Sequence, residues 1–362
     1  MIVPVDIRDL ILFIGIGNGI LMASYLLGNR ERTLAQVLLG LLIVCMSFNV
    51  CIFLILKYGL YNQYPILHWL PFGLSFTIGP LLYFYTKAVI SKSFKITKSG
   101  YKHFLLLLLD YPHSIYHIIY GRTVLHLDLH YVLDKFALFS MISNAIYLFL
   151  TYKAVKEYNK QLPNYASNTR NLQLKWLGNS IFIWTGLFVF GLVYGAIDFI
   201  LDLNFEEAYF INYLLIATVL WLGIKGTMQG QNSMELSRQI TQSLPAEKGE
   251  KIIKDLKQLM KNQKIYLYPD LTLRNVEDQL NFSSKEISLA INSVIKKNFY
   301  QFINEYRVEE FKLRVLDKKN KHLTLFGIAQ ESGFNSKATF NRVFSSVTGI
   351  SPRQFLDQSN TQ

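Results

Sequence analysis

The 362-residue sequence predicts an all-α fold in two parts, a seven-helix transmembrane bundle followed by a polar helical region. Three observations carry this. Hydrophobic residues make up 51% and charged residues 17%, against about 25% charged in an average globular domain. The charges are unevenly spread: 27 fall in residues 1–224 and 35 in the much shorter stretch 225–362. The first part holds apolar runs of membrane length, and the second holds apolar residues at helical spacing. Disorder and an ordinary cytosolic enzyme are excluded on composition. The two cysteines, Cys45 and Cys51, lie in one apolar run, so no disulfide framework or CxxC metal site is encoded. A pI near 9.4 points to an anionic partner, phosphate backbone or lipid headgroup.

A bilayer core about 30 Å thick takes roughly 20 apolar residues at 1.5 Å per residue. That ruler gives spans at about 9–28, 34–56, 65–87, 103–120, 131–152, 176–200 and 207–224. The first is not read as a cleaved signal peptide, because Arg8 sits between Asp6 and Asp9 and the run ends on NRER. The fourth is interrupted by Asp110, Pro112, His113 and His117, and charge counting retains it. Connections after spans 1, 3 and 5 carry Arg30 and Arg32, then five lysines from Lys87 to Lys102, then five basic residues from Lys153 to Lys175. Those after spans 2, 4 and 6 carry Lys57, Arg122 and no basic residue. Seven spans put every basic loop in the cytoplasm, with the N-terminus outside and the C-terminal region inside.

Polar residues inside spans need partners, so Asn18, Asn49, Asp110, Asn144, Asn179 and Asp198 are expected to face the bundle interior as packing glue. Gly15, Gly17 and Gly19 predict a close helix approach, and Pro71, Gly79 and Pro80 a bend in the third span. Five of the seven histidines fall on the outer side, and His113 and His117, four apart, share a helix face. They are the candidate metal ligands, weighed against an interfacial role; no HExxH-type motif accompanies them.

After Gly226 the polar stretch MQGQNSMELSRQITQSLP reads as a linker, and Pro245 precedes an amphipathic helix over 246–263. Ile252, Ile253, Leu256, Leu259 and Met260 fall on one arc, with lysines on the rest, a solvated face or a binder of anionic lipid. The domains expected are 1–225, a membrane domain that senses; 226–249, a juxtamembrane linker; and 250–362.

LTLFGIAQESGFNSKATFNRVFSSVTG (323–349) has the grammar of a helix-turn-helix. Leu325, Ile328 and Ala329 form the inner face of a first helix, Gly333 sits at the turn, and Ser336 caps a second helix whose Phe340, Val343 and Phe344 point inward. Lys337, Ala338, Asn341 and Arg342 are left outside, and Arg and Asn suit bidentate contacts with guanine and adenine edges. A second copy, LTLRNVEDQLNFSSKEISLAINSVI (271–295), begins with the same LTL and turns at Asn281–Ser283. Between them NFYQFINEYRVEEFKLRVLDK (298–318) places Phe302, Ile303, Tyr306 and Leu313 at helical spacing.

Through the motifs LTLxxIAxESGFNSxxxFNRxFxxxTGxSPxxF and NFYxFINxYRVEEFK, residues 250–357 resemble the DNA-binding domain of the AraC/XylS family of bacterial transcription regulators. The resemblance covers about 108 of 362 residues. It implies a double helix-turn-helix on a rigid connecting helix, entering successive major grooves about 34 Å apart. A membrane-spanning N-terminal region on such a domain is similar to a known variant of these regulators. The chain departs from the family pattern at Glu277 and Phe311, where the family favours small residues. Its first recognition helix has Glu286 and Leu289 where a polar or basic contact would help, and 272–297 sums to only +1. The DNA-contact residues expected are therefore Ser336, Lys337, Ala338, Asn341 and Arg342, with Lys285 and Ser288 from the first unit.

The reading is a one-component transcription regulator in the bacterial inner membrane, not an enzyme and needing no cofactor. Double-stranded DNA, the lipid bilayer, a second copy of the chain, RNA polymerase and a small-molecule or envelope signal are its expected partners. The rival is a transporter or intramembrane enzyme whose tail makes protein contacts, which requires paired ionisable residues at mid-membrane.

Overall fold

The structure, a computed structural model, describes residues 5–64, 66–67, 70, 74–91, 93–110, 129–169, 172–201, 208–229, 244–320 and 322–360. The chain forms two compact units, Met1–Glu157 with Leu174–Glu235, and Tyr158–Gln173 with Leu236–Gln362. Among the described residues every regular element is helical, and extended pairing is limited to an isolated antiparallel bridge between Ala166 and Thr272.

The first unit is built on α1 (Ile7–Gly28), α2 (Leu34–Lys57), α3 (Ser75–Ile90), α4 (Leu129–Gln161), α5 (Lys175–Leu201) and α6 (Ala208–Gln229). Asp6 and Thr33 cap α1 and α2 with reciprocal capping boxes, which explains why the helices begin there. Gly15 and Gly19 lie on one face of α1, and a Cβ at either would strike Ile216 of α6 or Ser47 of α2. The close approach read from the glycines is present at these two and not at Gly17, which faces open space. Leu12, Ile16, Val50, Phe53, Leu54, Tyr209 and Ile216 form the core between these helices.

Seven spans are not what the described residues contain. Three helices are long and apolar enough to cross a membrane: Ile7–Gly28, Leu34–Lys57 and Tyr209–Met228. The expected third span starts only at Ser75, after Leu74 at φ 52°, and its 16 residues reach about 24 Å at 1.5 Å each. The expected fourth is a 3-10 helix over Lys102–Asp110, and its remainder lies outside the described residues. α4 has 33 residues but carries Lys153, Lys156, Glu157 and Lys160 in its last turns.

The interior polar residues divide. The Asn144 side chain accepts from the Gly79 amide at 2.9 Å and donates to the Ser75 carbonyl at 3.2 Å, so it joins the donor and acceptor of one helical step in α3, next to Pro80. Asn49 accepts from Ser75. Asn18 and Asn179 are exposed, contrary to expectation, and Asn18 satisfies its amide on Ile14 of its own helix. Asp9 is 0% exposed, and both its carboxylate oxygens lie 2.7–2.8 Å from Lys57 Nζ. Tyr58 and Tyr209 also donate to it.

The second unit comprises α7 (Ala246–Gln263), α8 (Leu273–Glu277), α9 (Ser284–Ala290, continuing as a π turn to Ile295), α10 (Phe299–Leu316), α11 (Leu325–Glu331), α12 (Lys337–Thr348) and α13 (Pro352–Asn360). Ile252, Ile253, Leu256, Leu259 and Met260 of α7 are buried, as their spacing predicts. On α10, Phe302 and Ile303 are buried, but Leu313 is exposed and Phe311 takes the core position.

Candidate nucleic-acid interface

α11 is capped by Thr324, and Ala329, fully buried, occupies the crossing where a larger side chain would hold the next helix away. The chain then turns at Gly333, φ +95°, where a Cβ would sit 2.6 Å from the Tyr266 carbonyl. That position admits glycine alone. Ser336 caps α12 by accepting from the Thr339 amide and is buried. Phe340, Val343 and Phe344 face inward, with Phe340 packed on Phe311 at 4.7 Å and on Phe334 at 5.3 Å between ring centroids. Phe311, one of the two departures from the family pattern, is thus a filler of this core. Lys337, Ala338, Asn341 and Arg342 are all exposed on the opposite face. Arg342 donates to the Tyr300 hydroxyl at 3.1 Å, which steadies a long side chain beside that face. Gly349, φ +80°, ends the helix.

The first helix-turn-helix repeats this plan with different chemistry. Thr272 and Ser283 cap α8 and α9, each in a capping box. Counted from the caps Ser283 and Ser336, Ser288 is the counterpart of Asn341, Leu289 of Arg342 and Lys296 of Gly349, and Lys296 adopts the same left-handed conformation. α12 carries Lys337 and Arg342 and no acid, whereas α9 carries Lys285 and Glu286 and is neutral. Glu277, the other departure, is exposed and accepts from the Ser284 amide at 3.1 Å, closing the turn. Lys285 is half-buried. Ser288 is 7% exposed, its hydroxyl 3.4 Å from the Asn164 carbonyl, so in this structure it does not present itself to a ligand.

Three electrostatic features hold the helices of this domain in place. Glu286 accepts from Lys248 of α7 and from the Ser283 amide and hydroxyl, and these bonds hold its carboxyl down at about 2. Arg307 of α10, 2% exposed, donates to the Tyr266 and Tyr268 carbonyls at 2.7 Å and to the Ser167 hydroxyl at 3.0 Å. Burial pulls its pKa down to about 10, which leaves it charged at neutral pH. Burial raises the Glu310 carboxyl, but hydrogen bonds from Lys264, Tyr266 and Arg314 outweigh this and keep it below the usual range.

Among the described residues no three His, Cys, Asp or Glu side chains gather as metal ligands, and His113 and His117 lie outside those residues. Two groupings escape the sequence reading. Asp9 and Lys57 were legible only as an acid and a base at opposite helix ends, each needing a partner. Nothing in the sequence marks 162–169 as a neighbour of 266–272.

The model of a family described as "Helix-turn-helix domain" matches residues 277–358. An uncharacterized HTH-type transcriptional regulator of Staphylococcus aureus (strain COL) is 29% identical over 91 residues, 25% of this chain and 12% of that protein. Counterparts in strains MSSA476 and N315 align with the same identity and coverage. The chain therefore spans about an eighth of the length of these relatives. No solved structure matches the chain at a significant level. The C-terminal unit thus carries a helix-turn-helix domain.

Proposed function

We propose that this chain is a membrane-tethered transcription regulator that reads double-stranded DNA chiefly through α12. One observation carries the reading. The helix after the Gly333 turn buries Phe340, Val343 and Phe344 and leaves Lys337, Ala338, Asn341 and Arg342 exposed together on its outer face. A helix so mounted fits a major groove, with Asn341 and Arg342 at base edges and Lys337 on phosphate. Ser336 serves as the cap, and Lys285 adds a weaker phosphate contact from the first helix-turn-helix.

Tethering is supported by the three membrane-length helices and by the outward stripe of α1, where Ile7, Ile14 and Leu21, seven apart, are 73, 65 and 69% exposed. Water disfavours such a surface and lipid does not. The apolar unit then receives the signal, the second unit lies in the cytoplasm, and two copies act together, since one weakly basic reader gains occupancy by pairing. RNA polymerase is the further partner of the DNA-bound form. The buried pair Asp9–Lys57 sits in the first turn of α1 and at the last residue of α2. That placement suits a structural lock better than a transport pathway at mid-span.

The test is binding of the full chain in phospholipid nanodiscs to duplexes enriched from a random library. Specific retention that weakens with salt and depends on Arg342 supports the reading. Equal retention of enriched and random duplexes contradicts base reading by α12.

A further inference from the structure

The segment 162–169 lies in the loop between α4 and α5, yet it is an integral part of the second unit. Loops run over protein surfaces because their backbone groups need water. Six of its eight residues are buried: Leu162, Tyr165, Ala166, Ser167, Asn168 and Thr169 are all 8% exposed or less. Its polar groups are met by residues more than a hundred positions away. The Ser167 amide donates to the Leu271 carbonyl at 3.0 Å, and the Leu273 amide to the Tyr165 carbonyl at 2.9 Å. Asn304 donates to the Ser167 carbonyl, and Arg307 to its hydroxyl. Asn168 donates to Asp270 Oδ1, the same oxygen that accepts from Asn335 in the turn of the second helix-turn-helix. Asn164 covers Ser288, the position in α9 that corresponds to Asn341 in α12.

We propose that residues 162–169 form an autoinhibitory clip: seated, they occupy the first recognition helix at Ser288 and pin Leu271–Leu273 at the start of α8, and DNA binding by both units requires their withdrawal. The proposal rests on the DNA-binding reading above. The clip follows α4 directly and α5 begins after five intervening residues, so a displacement of either helix is carried along the chain to the first helix-turn-helix. A free surface loop would have no such leverage. The shared carboxylate of Asp270 extends the effect to the second helix-turn-helix, because the Asn168 bond and the Asn335 bond end on one atom.

The bridge between Ala166 and Thr272 supplies the test. The two are flanked by the hydrogen bonds of their neighbours, a pairing with Cα atoms about 4.5 Å apart, within disulfide reach. Ala166→Cys with Thr272→Cys, in a full chain carrying Cys45→Ala and Cys51→Ala, is placed in phospholipid nanodiscs. The probe is a duplex of about two helical turns, enriched from a random library by the reduced form of the same protein. Oxidation should weaken binding about tenfold or more, and reductant should restore it. Equal or tighter binding by the oxidised form overturns the clip. In the wild-type chain, the Ser167 and Leu273 amides should exchange hydrogen slowly when free and about tenfold faster with the duplex bound; unchanged protection also overturns it. Should neither redox form, nor a chain with Asn168→Ala, retain any duplex, the DNA-binding reading falls and the clip with it.

Discussion

The guanidinium of Arg307 donates to the hydroxyl of Ser167 across 3.0 Å, linking residues 140 positions apart in the chain. The same group holds the Tyr266, Tyr268 and Pro269 carbonyls, so one buried cation fixes the 266–272 segment, the connecting helix and the 162–169 segment together. Among the described residues no carboxylate is hydrogen-bonded to it, and Asp270 acts on it only through space. Its charge is satisfied by oriented carbonyl dipoles, an arrangement that needs the flat fork of arginine.

Arg307→Met should therefore destabilise the second unit by about 1–3 kcal/mol for each carbonyl left unpaired. Arg307→Lys should restore little, because a single ammonium cannot reach acceptors arranged around a plane. Thermal melting of the full chain followed by circular dichroism checks both. A lysine variant that melts with the wild type would show that charge alone matters here.

Gly333→Ala tests the turn. Its φ of +95° and the Tyr266 carbonyl 2.6 Å from a new Cβ should combine to cost upwards of about 1–3 kcal/mol. Gly349→Ala, also at positive φ but facing open space, should cost less. Denaturant melts of the two variants should separate them in that order.

The Glu286–Lys248 pair predicts a pH dependence. The carboxyl sits at about 2 in the folded chain against an ordinary 4.5, so its contribution is complete above pH 4.5 and is lost as pH falls toward 2. Glu286→Gln keeps a capping side chain without the charge. The melting temperatures of wild type and variant should differ most near neutral pH and converge only as pH falls to about 2. A difference that persists unchanged into acid would remove the pair from the account.

Much of the second unit was legible because local chemistry and packing agree there. Gly333, the cap Ser336, the turn at Asn281–Ser283 and the inward Phe340, Val343 and Phe344 all follow from spacing. Helical spacing alone did not say which face of α10 turns inward; the structure buries Phe311 against Phe340 and leaves Leu313 exposed. The apolar half was less legible. Hydropathy cannot see that Leu74 takes a left-handed conformation and delays α3 to Ser75, or that Asn18 satisfies its amide on its own helix. The 162–169 segment was invisible, since its partners are set by tertiary contact and it carries no pattern of its own.

Because 158–173 belongs to the same unit as the helix-turn-helix domain, both should lie in one compartment. Single cysteines introduced at Lys160 and Ser359 in spheroplasts should resist a membrane-impermeant maleimide alike and react alike once the membrane is opened. Labelling of one from outside and the other from inside would break the unit apart.

The central claim is that α12 reads DNA from a tethered chain. The most direct measurement is a genome-wide map of DNA crosslinked to the intact protein in its membrane, for wild type and Arg342→Ala. The account predicts discrete sites sharing a sequence, with Arg342→Ala losing about 1–3 kcal/mol of preference at one base pair. A map without enrichment, or one identical in the variant, would contradict it.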